Sequence, residues 1–129
     1  ARVMNKAGRH EDAEALLDKC QKVMRDDRFP LDMTYLHLGN ELAVANMIEE
    51  YYKAGAPEKA RDLATRFCDE LLHSMDFFLG FYNYSRSEFE TVATYLYYVT
   101  DDILAANGDT EMAKRYIDAS EDLVKGVID

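Results

Sequence analysis

The chain has 129 residues, 48% of them hydrophobic and 31% charged, with six Gly, two Pro and no Trp. That composition excludes collagen, low-complexity polymer and wholesale disorder, and a chain this long buries roughly two-thirds of its unfolded surface without staples. Fifteen Lys and Arg against 25 Asp and Glu leave a net charge of −10, which disfavours nucleic acid and anionic membrane surfaces as partners, because both are held by basic residues.

Residues 1–7 read as the tail of a helix, with no initiator Met and no charged-then-apolar leader, so an excised fragment or processed chain is expected. After Gly8, the residues Ala13, Leu16, Leu17, Cys20, Val23 and Met24 follow a helical period. A loop is expected over 26–32, since the residue before Pro30 is pushed out of the helical region. Val44, Met47, Ile48, Tyr51 and Tyr52 then trace one face of a helix that ends before Gly55. Ala60, Leu63, Ala64, Phe67, Leu71 and Met75 trace the next. Residues 80–87, with Phe81, Tyr82 and Tyr84, are expected to be a connection packed over the helices. Phe89, Val92, Ala93, Leu96, Ile103 and Leu104 form a fourth helical face; their spacing overrides the strand propensity of 91–100. Beyond Gly108 come Ala113, Tyr116, Ile117, Ser120, Val124 and Val127. Five long helices and an N-terminal stub result, with no apolar run near the ~18 residues of a membrane span.

A unit recurs along this series. Gly8-x-x-Glu11-x-Ala13, Gly55-x-x-Glu58-x-Ala60 and Gly108-x-x-Glu111-x-Ala113 lie 47 and 53 residues apart. Each glycine suits the left-handed residue just past a helix end, each glutamate the positive end of the next helix dipole, and each alanine a close helix contact. Pro57 suits a first helical position. The fold expected is all-α, a stack of antiparallel helical hairpins in one domain over 1–129, with units at about 1–27, 32–79 and 86–128. Charge is uneven: the stretches 1–31, 32–79 and 80–129 carry +1, −5 and −6.

No catalytic or cofactor motif is present, and neither a catalytic residue, a cofactor nor a metal site is expected. Cys20 and Cys68 are isolated thiols, expected as small buried hydrophobes on apolar helix faces. His73 with Asp69, and His10 with Glu14, lack the second histidine of a helical metal motif. Glu49-Glu50 and Asp101-Asp102 are expected as solvated charge, since adjacent helix residues point ~100° apart. Nine Tyr and six Phe leave two readings open, inter-helix packing or the floor of a ligand groove.

The helix, the glycine turn, and the alanine five residues after it resemble the tetratricopeptide repeat (TPR), although the spacing exceeds its usual ~34 residues and Thr100 departs from its pattern. The resemblance implies a right-handed stack in which the first helix of each hairpin lines a concave face. By that resemblance the binding face falls on Leu42, Ala45, Glu49 and Tyr52 in the second unit and on Tyr95, Tyr98, Asp102 and Ala105 in the third. It would take a protein or peptide segment, basic or amide-rich, or another domain of the same chain. The series Phe29-Pro30-Leu31-Asp32, Tyr51-Tyr52-Lys53-Ala54-Gly55, Glu58-Lys59-Ala60 and Met75-Asp76-Phe77-Phe78-Leu79 is also similar to the soluble C-terminal tails of Bacteroidetes multi-spanning membrane proteins related to protein O-mannosyltransferases. That similarity implies a non-catalytic accessory domain on the periplasmic side of a membrane, itself not inserted in it. A free-standing interaction scaffold, or a fragment lending residues to another domain's active site, are the alternatives.

Overall fold

The computed structural model describes residues 2–26 and 38–128; of these, the side chains of 21, 23–26, 38–42, 127 and 128 lie outside the description. The elements among the described residues are all helices, with no strand, in the order α1 (Arg2–Lys6), α2 (His10–Asp26), α3 (Leu38–Lys53), α4 (Pro57–Leu79), α5 (Tyr82–Tyr97), a π-helical segment (Tyr98–Leu104), a 3₁₀ turn (Ala105–Asn107) and α6 (Thr110–Ile128). The connection expected around Pro30 falls outside the described residues. No described helix is long and apolar enough to cross a membrane.

Gly8, Gly55 and Gly108 have φ of +80°, +80° and +93°, the left-handed conformation that other residues adopt at a cost. At each, the glycine N–H bonds the carbonyl three residues back and the next N–H bonds the carbonyl five back: Gly8 to Asn5 and Arg9 to Met4, Gly55 to Tyr52 and Ala56 to Tyr51, Gly108 to Ala105 and Asp109 to Leu104. This is the Schellman pattern, which satisfies carbonyls that a helix end would leave unpaired. The following helix begins at once, because the N–H of Ala13, Ala60 and Ala113 already bonds the residue just after the glycine. All three alanines are buried. A larger side chain at any of them would hold the two helices apart.

Consecutive helices pack on one another, and α4 also packs against α6. Between them lies one core of Val44, Ile48, Tyr51, Leu63, Phe67, Leu71, Leu96, Val99, Ile103 and Leu104 with their neighbours. Burying a side chain of this size contributes about 1.5–3 kcal/mol.

Two expectations need correction. Residues 80–87 are not a connection: α5 starts at Tyr82, and Gly80 has helical φ and ψ of −62° and −21°, so the turn after α4 needs no left-handed residue. The departure from helix comes at Ser85 (φ −127°, ψ 25°), whose hydroxyl donates to the carbonyls of Phe78 at 2.7 Å and Phe81 at 3.0 Å. Nor is this stretch packed over the helices, since Tyr84 is 91% exposed. Phe77, Phe78 and Phe81 instead stack edge to face on one another.

The second correction concerns 98–104, expected as plain α-helix. There the backbone widens into π-helix, closed by Ala105 N–H on Thr100 O. The Thr100 hydroxyl is buried and donates to Leu96 O at 2.8 Å, a side-chain bond that competes with the regular ladder. Val99, Thr100, Ile103 and Leu104 lie in the core, and Asp101 and Asp102 face solvent.

Candidate functional site

Of the binding residues expected from the sequence, Glu49, Tyr98 and Asp102 come together where α3 packs against the π-helical segment, with α1 on the other side of α3. Glu49 and Tyr98 meet there. The titration of the Tyr98 phenol is pushed upward first by burial, then by the negative charges of Glu49 and Asp102, with Arg2 of α1 acting in the opposite sense. Glu49, Tyr98, Asp102 and Arg2 thus lie within electrostatic reach of one another across three elements. Tyr95 and Ala105 are half-buried, packed against the core beside them.

The other expected residues are placed differently. Ala45 is fully buried and belongs to the core, so it presents nothing to a ligand. The side chain of Leu42 lies outside the described residues. Tyr52 is half-buried, and its hydroxyl donates to Asp109, the residue after the third turn glycine, while Arg61 stands 3.4 Å from that carboxylate. Burial and the adjacent Asp109 charge hold the Tyr52 phenol well above its ordinary range. Tyr52 therefore ties the second unit to the third and is committed to structure.

Polar ties between units were not visible in the sequence. Asn5, which stands as far before Gly8 as Tyr52 before Gly55, donates to Glu50 O at 3.1 Å and Glu50 Oε1 at 3.2 Å. Its own Oδ1 lies 3.0 Å from His10 Nδ1. Glu50 was expected in solvent but is only 4% exposed, because α1 covers it; the Lys53 ammonium lies 3.3 Å from its other oxygen. On the opposite side, Lys59 of α4 reaches Glu14 at 2.5 Å and Asp18 at 2.7 Å on α2, and Tyr51 donates to Asp18 at 2.7 Å. Partial burial opposes ionisation of Asp18, but the Lys59 and Tyr51 bonds with the Lys59 charge hold its carboxyl below the usual range. Tyr116 of α6 donates to Asp69 of α4 at 3.0 Å, which with burial pushes the phenol up to about 12. Among these ties only Asn5 and Tyr52, each three residues before a turn glycine, share a matched place in the sequence.

Cys68 is buried and its thiol is pushed up to about 12, first by burial and then by Asp69, so it is inert at neutral pH. Cys20, expected to be buried, is exposed. Of the histidine pairs, His10 faces Asn5 and Asp69 accepts from Tyr116. Among the described residues no three of His, Cys, Asp or Glu are grouped to hold a metal ion. Around the Tyr98 ring, which packs in part against the core, stand the carboxylates of Glu49 and Asp102 and the guanidinium of Arg2. No protein-family model, no curated protein and no solved structure matches the chain.

Proposed function

We propose that this chain is a non-catalytic interaction module, a TPR-like right-handed stack of antiparallel hairpins whose face of α1, α3 and the π-helical segment receives an extended basic or amide-rich segment from a partner protein or another domain. The observation that carries this reading is the packing of α3 against the π-helical segment, which sets the half-buried Tyr98 ring within electrostatic reach of Glu49 and Asp102. A cationic side chain stacked on the Tyr98 ring would be paired by either carboxylate, and each such contact contributes about 0.5–2 kcal/mol. The three left-handed glycines at matched turns, with a buried alanine five residues after each, support the repeat. In this reading the module is the soluble accessory tail of a periplasmic-side membrane glycosyltransferase-like protein, an assignment resting on the similarity of short segments.

Titration with a Lys/Arg-rich peptide against its Glu-substituted counterpart tests the reading. The basic peptide is expected to bind and the acidic one not. Tyr98→Ala should weaken binding by about tenfold or more while Tyr98→Phe retains most of it. Asp102→Asn should weaken binding more than the control Asp122→Asn on α6. Equal loss of binding and thermal stability in Tyr98→Ala returns the ring to a packing role and overturns the proposal.

A further inference from the structure

The first helices of the second and third units end alike and differ further back. Tyr51 and Leu104 stand four residues before Gly55 and Gly108, both are buried, and both turns close with the same pair of backbone bonds. Counting back from Gly55, the next large residues buried on α3 are Ile48 and Val44, at seven and eleven. The places seven and eleven before Gly108 are Asp101 and Tyr97, both exposed. Thr100 and Leu96, at eight and twelve, are buried there instead. The inward face is thus displaced by one residue, and the displacement begins between Leu104 and Thr100. That is where the chain leaves the α-helix: the Ala105 N–H bonds Thr100 O five residues back, across a span that four residues fill in an α-helix. The matching helix of the second unit, α3, is α-helical from Leu38 to Lys53. An extra residue in an unwidened helix would turn everything before it by about 100° and carry Leu96 and Val92 off the core.

The displacement changes what the place ten residues before the glycine can hold. In the second unit that place is Ala45, enclosed in the core. In the third it is Tyr98, half-buried and within electrostatic reach of Glu49 and Asp102. We propose that the third unit carries one residue more than the second between Thr100 and Leu104, and that the π-helical segment stores it, so that a tyrosine ten residues before the turn reaches the binding face. The stored residue is a positioning device. Thr100, which departs from the repeat pattern, donates to Leu96 O at 2.8 Å and Tyr97 O at 3.3 Å, and Asn107 donates to Ile103 O at 2.7 Å. Carbonyls at both ends of the segment therefore find side-chain donors. The inference rests on the proposed function for what Tyr98 binds but not for the extra residue, so absence of peptide binding and failure of the deletion below are separate results.

Deleting Asp101 tests it. Thr100 then lies four residues before Ala105, so the same N–H and carbonyl make an ordinary α-helical bond, and Thr100 and Leu96 fall seven and eleven before the glycine as Ile48 and Val44 do. The shortened chain is expected to melt within about 3 °C of the parent or above it. Deleting Asn46 from the regular α3 turns Val44 and Ala45 away from the core, and should lower the midpoint by about 10 °C or more. Backbone NMR of the Asp101 deletion should show plain α-helix through this stretch. Asp101→Ala, which keeps the residue count, should leave melting and peptide binding at the parent level. Because the deletion slides Tyr98 along α3 by about 1.5 Å, it should bind the basic peptide at least about fivefold more weakly than Asp101→Ala does. A deletion variant that melts as low as the Asn46 deletion, or that keeps the π-helical bonds, overturns the extra residue, whether or not the parent binds the peptide. One that folds as a plain helix and binds as tightly as Asp101→Ala overturns the positioning role.

Discussion

Asn5 and Glu50 show how a single side chain decides whether two helices can share a boundary. The Glu50 carboxylate is removed from water by α1, and an ion so placed is costly unless hydrogen-bonded. Asn5 provides that bond to Oε1 and also to the Glu50 carbonyl, so it satisfies two buried acceptors with one amide. Asn5→Ala is therefore expected to cost about 1–3 kcal/mol in urea unfolding, and Asn5→Asp more, since it sets a like charge against Glu50. Double substitution with Glu50→Gln should recover part of the Asp loss, a coupling that a cycle of the four proteins measures. The adjacent pair Glu49-Glu50 divides by the same logic. One carboxylate closes an inter-unit contact and the other faces the Tyr98 ring, although neighbours in sequence look alike.

At the scale of elements, glycine has opposite meanings at two places. A Cβ at Gly55 would meet nothing within 4 Å, so the cost of Gly55→Ala comes from the φ of +80° alone, about 1–2 kcal/mol. Gly126, inside α6, also has open space around it but no left-handed φ, so Gly126→Ala is expected to stabilise by about 0.5–1 kcal/mol. Melting temperatures of the two variants should move in opposite directions. Ala60→Leu tests the helix contact beside the turn: Ala60 is buried where α3 and α4 pack, and overfilling it should cost about 1–3 kcal/mol. An unchanged melting temperature there would remove the close-contact role given to the recurring alanine. The π-helical segment is the element that sequence periodicity misread. Spacing at 89, 92, 93 and 96 marks a helix, but the competition of the Thr100 hydroxyl for Leu96 O depends on that hydroxyl being buried, which no local pattern encodes.

Across the whole molecule, ion pairs and phenol–carboxylate bonds join the units, so stability depends on pH at both ends. Asp18 is held below its unfolded value of 3.8, so the unfolded chain takes up the proton first; its contribution is full above about pH 4 and is lost as pH falls through the folded value. Tyr116, raised from 10.0 to about 12, and Tyr52, raised further, stabilise the fold fully below pH 10 and lose that effect as pH rises through their folded values. Chemical denaturation from pH 3 to 11 should show stability falling at both extremes. Asp18→Asn should flatten the acid limb, and Tyr116→Phe the alkaline one.

The helical class, the three left-handed turns and the buried alanines beside them were determined by the sequence, because each rests on local chemistry: a 3.6-residue apolar period, a residue without Cβ, and a small residue set by that bend. Expected binding residues divide where tertiary contacts begin. Tyr98 and Glu49 meet because α3 and the π-helical segment lie side by side, Ala45 faces inward into the core, and Tyr52 is taken by Asp109 from the next turn. Burial of Glu50 depends on Asn5 of α1 packing over it, and Cys20 stays exposed on α2. That is a matter of which surfaces find a neighbour, and only the assembled helices decide it.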